Sequence, residues 1–129
     1  MGDGEGVRRT LALYCQLCDD GRFDEWATLY TDDATFSVMG ETHRGPAAIK
    51  AFIENAQPPE ARGKHFMGQS LIDVNGDGTA SVVSDYTFIA RTAKGGYAVT
   101  SAGRYHDQLV RGPDDVWRFR SREIRFLGD

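Results

Sequence analysis

Cysteine is scarce in this chain: only Cys15 and Cys18 occur among 129 residues, too few for the disulfide lattice of small secreted domains. Their C-x-x-C spacing lies inside Leu11-Ala12-Leu13-Tyr14-Cys15-Gln16-Leu17-Cys18. That run reads as mid-helix, whereas a reactive thiol needs a helix N-terminus or a neighbouring cation. Both thiols therefore read as small buried hydrophobes. Three histidines scattered along the chain supply no ligand cluster, so no metal is expected. Long apolar runs are absent as well. No stretch approaches the roughly 18–20 residues of a membrane-spanning helix, and residues 1–6 lack a basic-then-apolar leader. The expectation is a soluble, cytoplasmic protein with no membrane contact. Positive charge is also in deficit, with 15 Lys plus Arg against 19 Asp plus Glu and a formal net charge of −4. The single basic concentration, Arg118, Arg120, Arg122 and Arg125, has acidic residues beside it. A broad phosphate-binding surface, and hence nucleic acid as a partner, is not expected.

What the chain does have is a core. It is 40% hydrophobic and 11% aromatic, enough for one compact domain and too short for two. Residues 1–6 read as a flexible lead and 7–127 as a single domain. Val7, Leu11, Tyr14 or Cys15, and Cys18 recur at helical steps through the first 20 residues, and Gly21 closes that helix. Phe23, Trp26, Ala27 and Tyr30 form the stripe of a second, short helix, with Asp24 and Glu25 favouring its first turn. Thr35 to Met39 is β-prone, and Gly45-Pro46 opens a third helix with Ile49, Phe52 and Ile53 as its apolar side. Beyond the 55–63 loop the period changes to two. Four long strands fit 65–74, 79–91, 96–110 and 116–126, separated by Gly-rich turns. Helices first and a meander second predict an α+β domain in which a curved antiparallel sheet buries one face against three N-terminal helices. Such a curl leaves room for a ligand pocket.

One familiar motif fails. Asp73-Val74-Asn75-Gly76-Asp77-Gly78 opens like a calcium loop, but its twelfth position is Ser84 instead of a bidentate Glu. It reads as a hairpin turn. The polar candidates are few. Tyr14 and Asp19 are five apart on the first helix, about 500° of rotation or 140° in projection, so they share a ligand only near the helix end. His65 shares a strand face with Met67, Gln69 and Leu71. It is either a satisfied core histidine or a general base oriented by Asp19 or Asp85. Asp85 faces either the pocket or solvent. In Gly103-Arg104-Tyr105-His106-Asp107 only one of the pairs Tyr105/Asp107 and Arg104/His106 can look inward. Arg118, Arg120 and Arg122 share one strand parity and read as water-facing, with Arg122 the one best placed to reach a pocket mouth.

Several segments together resemble a known family. Tyr14, Asp20-Gly21-Arg22-Phe23, Leu29 to Phe36, Gly45-Pro46-Ala47-Ala48-Ile49, Lys64-His65-Phe66, Gly103 to Asp107 and Trp117-Arg118-Phe119 resemble the SnoaL-like members of the nuclear-transport-factor-two-like superfamily. The resemblance spans nearly the whole chain and implies a cone-shaped α+β fold. It also implies, by likeness to scytalone dehydratase and the bile-acid dehydratases, a cofactor-free site with His65 as base, Asp19 as its orienter and Tyr14 as donor to an oxyanion. Asp85, Tyr105, Asp107, Arg122, Trp26 and Met67 are the expected ligand-contacting residues. Ketosteroid isomerases pair a first-helix tyrosine with an aspartate base. Val38 stands at that base position here and cannot accept a proton. The expected activity is proton abstraction leading to dehydration or isomerisation of a hydrophobic cyclic or polycyclic molecule. The competing expectation is a non-catalytic ligand-binding or accessory domain. Apolar residues on both strand parities, and the resemblance itself, imply a homodimer.

Overall fold

The computed structural model describes residues 2–128. Helix α1 (Asp3–Asp19) buries Val7, Leu11, Tyr14, Cys15 and Cys18 along one side, the stripe its sequence spacing dictates. It ends in a Schellman turn: Arg22 N–H donates to Leu17 C=O at 2.9 Å and Gly21 N–H to Cys18 C=O at 3.0 Å. Gly21 sits at φ 70°, which a residue with a Cβ adopts only under strain. Of the expected flexible stretch 1–6, Met1 lies outside the described residues. Residues 3–6 form the first turn of α1, where Asp3 accepts a hydrogen bond from Arg111 at 2.9 Å.

Helix α2 (Phe23–Ala27) is a single turn that buries Phe23 and Trp26. Tyr30, expected on its stripe, instead begins strand β1 (Tyr30–Val38). A β2 strand that the sequence reading did not anticipate (Glu41–Arg44) folds back on β1. Helix α3 (Pro46–Ala56) starts with proline in its first turn and buries Ile49 and Ile53, and a 3-10 turn (Pro59–Ala61) leads into the sheet. The strand expected over 65–74 is two strands, β3 (Lys64–Met67) and β4 (Leu71–Val74), both paired with β5 (Thr79–Arg91). The break between them comes at Gly68, whose N–H still reaches Asp85 C=O at 2.9 Å. Strands β6 (Tyr97–Arg111) and β7 (Trp117–Phe126) complete the sheet.

The sheet order is β2-β1-β7-β6-β5-β3, with β4 beside β3 on β5. Every pairing is antiparallel except the parallel β1–β7 contact. The three helices cover one face, as an α+β cone requires. Trp26, Tyr14, Tyr105, Phe36 and Phe119 are fully buried between the two layers. Three register shifts bend the sheet, one between Phe88 and Ile89, a second between Gln108 and Leu109, and a third between Tyr30 and Thr35 in the β1–β7 pairing. At the second, Leu109 faces Phe119 while Gln108 faces Ser121, so Arg120 is an extra residue in β7. A bulge of this kind reverses strand parity. Trp117 and Phe119 point into the core before it, and Arg122 does so after it.

Candidate functional site

The site is built where α1 ends and β3 begins. Asp19 is the last residue of α1, immediately before the Schellman turn. Its carboxylate takes two hydrogen bonds from one partner: Oδ1 lies 2.6 Å from His65 Nδ1, and Oδ2 accepts the His65 backbone N–H at 3.0 Å. This two-point clamp fixes the ring plane as well as its position. Only 3% of the Asp19 side chain and 8% of the His65 side chain are exposed. An ionised carboxylate can only accept, so the Nδ1 proton is directed to Asp19 and the lone pair of neutral imidazole resides on Nε2. Nε2 makes no hydrogen bond among the described residues.

His65 lies between two spaces. On one side is an inner cavity of about 200 Å³ that His65 lines together with Tyr14, Tyr86, Phe88, Ser101 and Tyr105. On the other is an open groove of about 710 Å³ between α1 and the β3–β4 segment, lined by Asp19, Cys15 and Met67. The 140° between Tyr14 and Asp19 on the helix is thereby explained. Tyr14 faces the cavity, Asp19 faces the groove, and His65 is the residue they have in common. The His65 ring stands edge-on to Tyr14 at 6.0 Å and to Phe88 at 4.6 Å between centroids. Burial lifts the Tyr14 and Tyr105 phenols well above their ordinary range, so both stay protonated and able to donate at neutral pH. Val38 is buried and lines the cavity, so the β1 wall is apolar where a carboxylate base would stand.

The remaining expected residues separate into five places. Tyr105 lines the cavity, and Met67 lines the groove instead. Trp26 touches neither; it is sealed in the core, 5.4 Å from Tyr14 and 4.9 Å from Tyr30 between ring centroids. Asp107 and Arg122 form an ion pair at 3.0 Å with both side chains wholly buried. The Arg122 guanidinium lies 3.6 Å from the Tyr105 ring centre, 4.1 Å from that of Tyr14 and 4.6 Å from that of Phe119. The water-facing expectation for Arg122 fails because of the Arg120 bulge, which no parity argument could see. Burial pushes the Asp107 carboxyl up to about 6, against the opposing pull of Arg122. Asp85 is the clearest correction. Its strand parity puts it on the outer sheet face, where Arg104 grips it with bonds of 2.6 Å and 3.2 Å, so it neither orients His65 nor meets the cavity.

Sequence reasoning missed Tyr86, Phe88 and Ser101 as cavity residues. The signal was present in the even positions of β5, Ala80 to Phe88, which alternate into the core. The two cysteines are free and buried, and burial raises their thiols to about 11 and about 12, as befits inert core residues. Among the described residues no group of three His, Cys, Asp or Glu side chains gathers as a metal site, and no helix is long and apolar enough to cross a membrane.

This architecture has relatives among solved structures. A Mycobacterium tuberculosis protein of unknown function is 28% identical with a TM-score of 0.85, over 94% of this chain and 69% of that one. An NTF2-like protein with a cystatin-like fold from Novosphingobium aromaticivorans is 27% identical with a TM-score of 0.87, over 98% of this chain and 82% of the other. A candidate scytalone dehydratase from the same organism, 23% identical with a TM-score of 0.80 over 96% and 83% of the two chains, shares the fold. No curated protein matches the chain. The SnoaL-like domain family model matches residues 2–123, nearly the whole of the sequence, and the chain belongs to that family.

Proposed function

We propose that this protein is a cofactor-independent dehydratase or isomerase that abstracts a proton from a hydrophobic cyclic molecule. The fold is that of a superfamily that includes such enzymes. The single observation that carries the reading to this chain is the Asp19–His65 clamp at the edge of a cavity lined mainly by aromatic and apolar side chains. Neutral His65 takes a proton adjacent to a carbonyl through Nε2. Asp19 stabilises the resulting imidazolium and holds its orientation. Tyr14, kept protonated by burial, donates to the oxygen on which negative charge develops. The imidazolium then returns the proton, either to another carbon, which shifts the double bond, or to a departing hydroxyl, which releases water. Both outcomes are redox-neutral and proceed through side-chain proton transfer alone.

A ligand-binding role without catalysis predicts a cavity lined by apolar groups and no oriented titratable pair. The clamp on His65 favours proton transfer over that alternative. The test is deuterium incorporation next to the carbonyl of a simple cyclic ketone in D₂O, followed by NMR. The wild-type protein is expected to accelerate exchange, and His65→Ala to lower the rate by about 10²–10⁴-fold, the usual contribution of a positioned acid–base group. An equal rate from the two folded proteins would remove the assignment.

We further propose a homodimer formed through the outer sheet face. Phe66, Leu71 and Val99 project from it and are 56%, 72% and 59% exposed, large apolar side chains that a second copy would cover.

A further inference from the structure

The cavity is small for a polycyclic ligand, and its lining holds no carboxylate, ammonium or guanidinium group. Its volume is about 200 Å³, whereas pockets for drug-sized molecules run to about 300–1,000 Å³ and an engineered cavity of about 150 Å³ accommodates benzene. One ring with small substituents fills it. None of the residues that line it is Asp, Glu, Lys or Arg, and the buried Asp107–Arg122 ion pair lies outside that lining, with the Arg122 guanidinium against the Tyr105 ring. A charged ligand would lose its hydration there without gaining a partner.

The strand register gives the cavity a polar group at each end. His65 on β3 lies opposite Phe88 on β5, and Phe88 lies opposite Ser101 on β6. These three residues form one row across the sheet, with the Phe88 ring as the floor between two polar ends. Adjacent strands are about 4.8 Å apart, so the two ends are separated by roughly 10 Å at the backbone. Side chains reaching in from both ends leave a span suited to one six-membered ring. At the far end the Ser101 and Tyr86 hydroxyls are bonded to each other at 2.9 Å. A hydroxyl pair satisfied in this way retains one proton to donate and lone pairs to accept with.

We propose that the ligand is an uncharged single-ring compound with two oxygens on opposite sides of the ring, one at the Tyr14–His65 end and the other read by the Tyr86–Ser101 pair. This rests on the cavity being the site of the proposed reaction and narrows the substrate to a monocyclic class. Tyr86 and Ser101 are then specificity-determining residues that take no part in proton transfer.

Calorimetric titration with unreactive probes tests it: phenol, hydroquinone kept reduced, 4-hydroxybenzoate, 2-naphthol and the steroid phenol equilenin. Hydroquinone is expected to bind about 5-fold or more tighter than phenol. 4-Hydroxybenzoate, 2-naphthol and equilenin are each expected to bind at least 10-fold more weakly than hydroquinone. Ser101→Ala and Tyr86→Phe, with melting curves confirming that each is folded, should each abolish the preference for hydroquinone over phenol. Tighter binding of 2-naphthol or equilenin, a preference that survives in both variants, or no binding by any probe would overturn the proposal. The outcomes separate from those for catalysis. A protein with this ligand selectivity but no His65-dependent exchange loses only the enzymatic reading, and one that exchanges but prefers four rings loses only the monocyclic one.

Discussion

A carboxylate and an imidazole acquire a chemical role here through what else each touches. Asp19 spends both oxygens on His65, one on its backbone N–H and one on ring Nδ1, so the carboxylate is held in place by the first bond and the ring cannot rotate without breaking the second. Arg122 and Asp107 illustrate the opposite arrangement, a buried pair enclosed by rings that supports the cavity wall without entering it. Replacing Arg122 with Met would leave the Asp107 carboxylate buried and unpaired, at a cost of about 3–5 kcal/mol. Urea denaturation at pH 8 should show that loss, and adding Asp107→Leu to the same protein should recover much of it. A double variant no more stable than Arg122→Met would show that the cost lies in lost ring packing. At this scale the residues alone left Asp19 and Asp85 both open as partners of His65, because nothing in the spacing of positions 46 residues apart shows which meet. The family resemblance pointed to Asp19, and the outer-face Arg104 bond places Asp85 elsewhere.

Secondary-structure elements were the most legible level, because periods of 3.6 and two follow directly from burying one face. The three helices and the long strands β5, β6 and β7 lie close to where their apolar spacing puts them. What escaped was local irregularity. A one-residue bulge at Arg120 costs nothing in composition yet reverses the faces of everything after it. The break at Gly68 likewise turned one expected strand into two. The β6–β7 turn carries a further testable device. Asp114 accepts two hydrogen bonds from Arg118, at 3.0 Å and 2.8 Å, and one from the Val116 N–H at 3.2 Å. These hold its carboxyl down at about 2, against an ordinary 3.8. Because the folded value lies below the unfolded one, the contribution is complete above pH 3.8 and is lost as pH falls towards 2. Asp114→Asn should therefore be less stable than wild type at pH 6, with the difference shrinking between about pH 4 and pH 2 in thermal melts. A gap that stays constant across that range would contradict the assignment.

For the molecule as a whole, the cone shape explains why a short chain contains a concave site: the sheet curls over its own helices, and aromatic side chains line much of the space between them. The cavity size could not be read from the sequence, because it depends on how the rings of Tyr86, Phe88 and Phe36 pack. The same curl leaves the other sheet face uncovered. If that face joins two copies, Phe66→Glu should convert a dimer to a monomer by multi-angle light scattering, with the fold unchanged by circular dichroism. A wild-type mass equal to one chain would remove the dimer.

The central claim is that Asp19 makes His65 a base. The most direct measurement compares ketone deuterium exchange by wild type and Asp19→Asn, a variant that keeps the size of the side chain but removes its charge and one of its two acceptor oxygens. The account predicts a fold unchanged by circular dichroism and exchange slowed by at least about 10²-fold. Exchange at the wild-type rate in folded Asp19→Asn would contradict it.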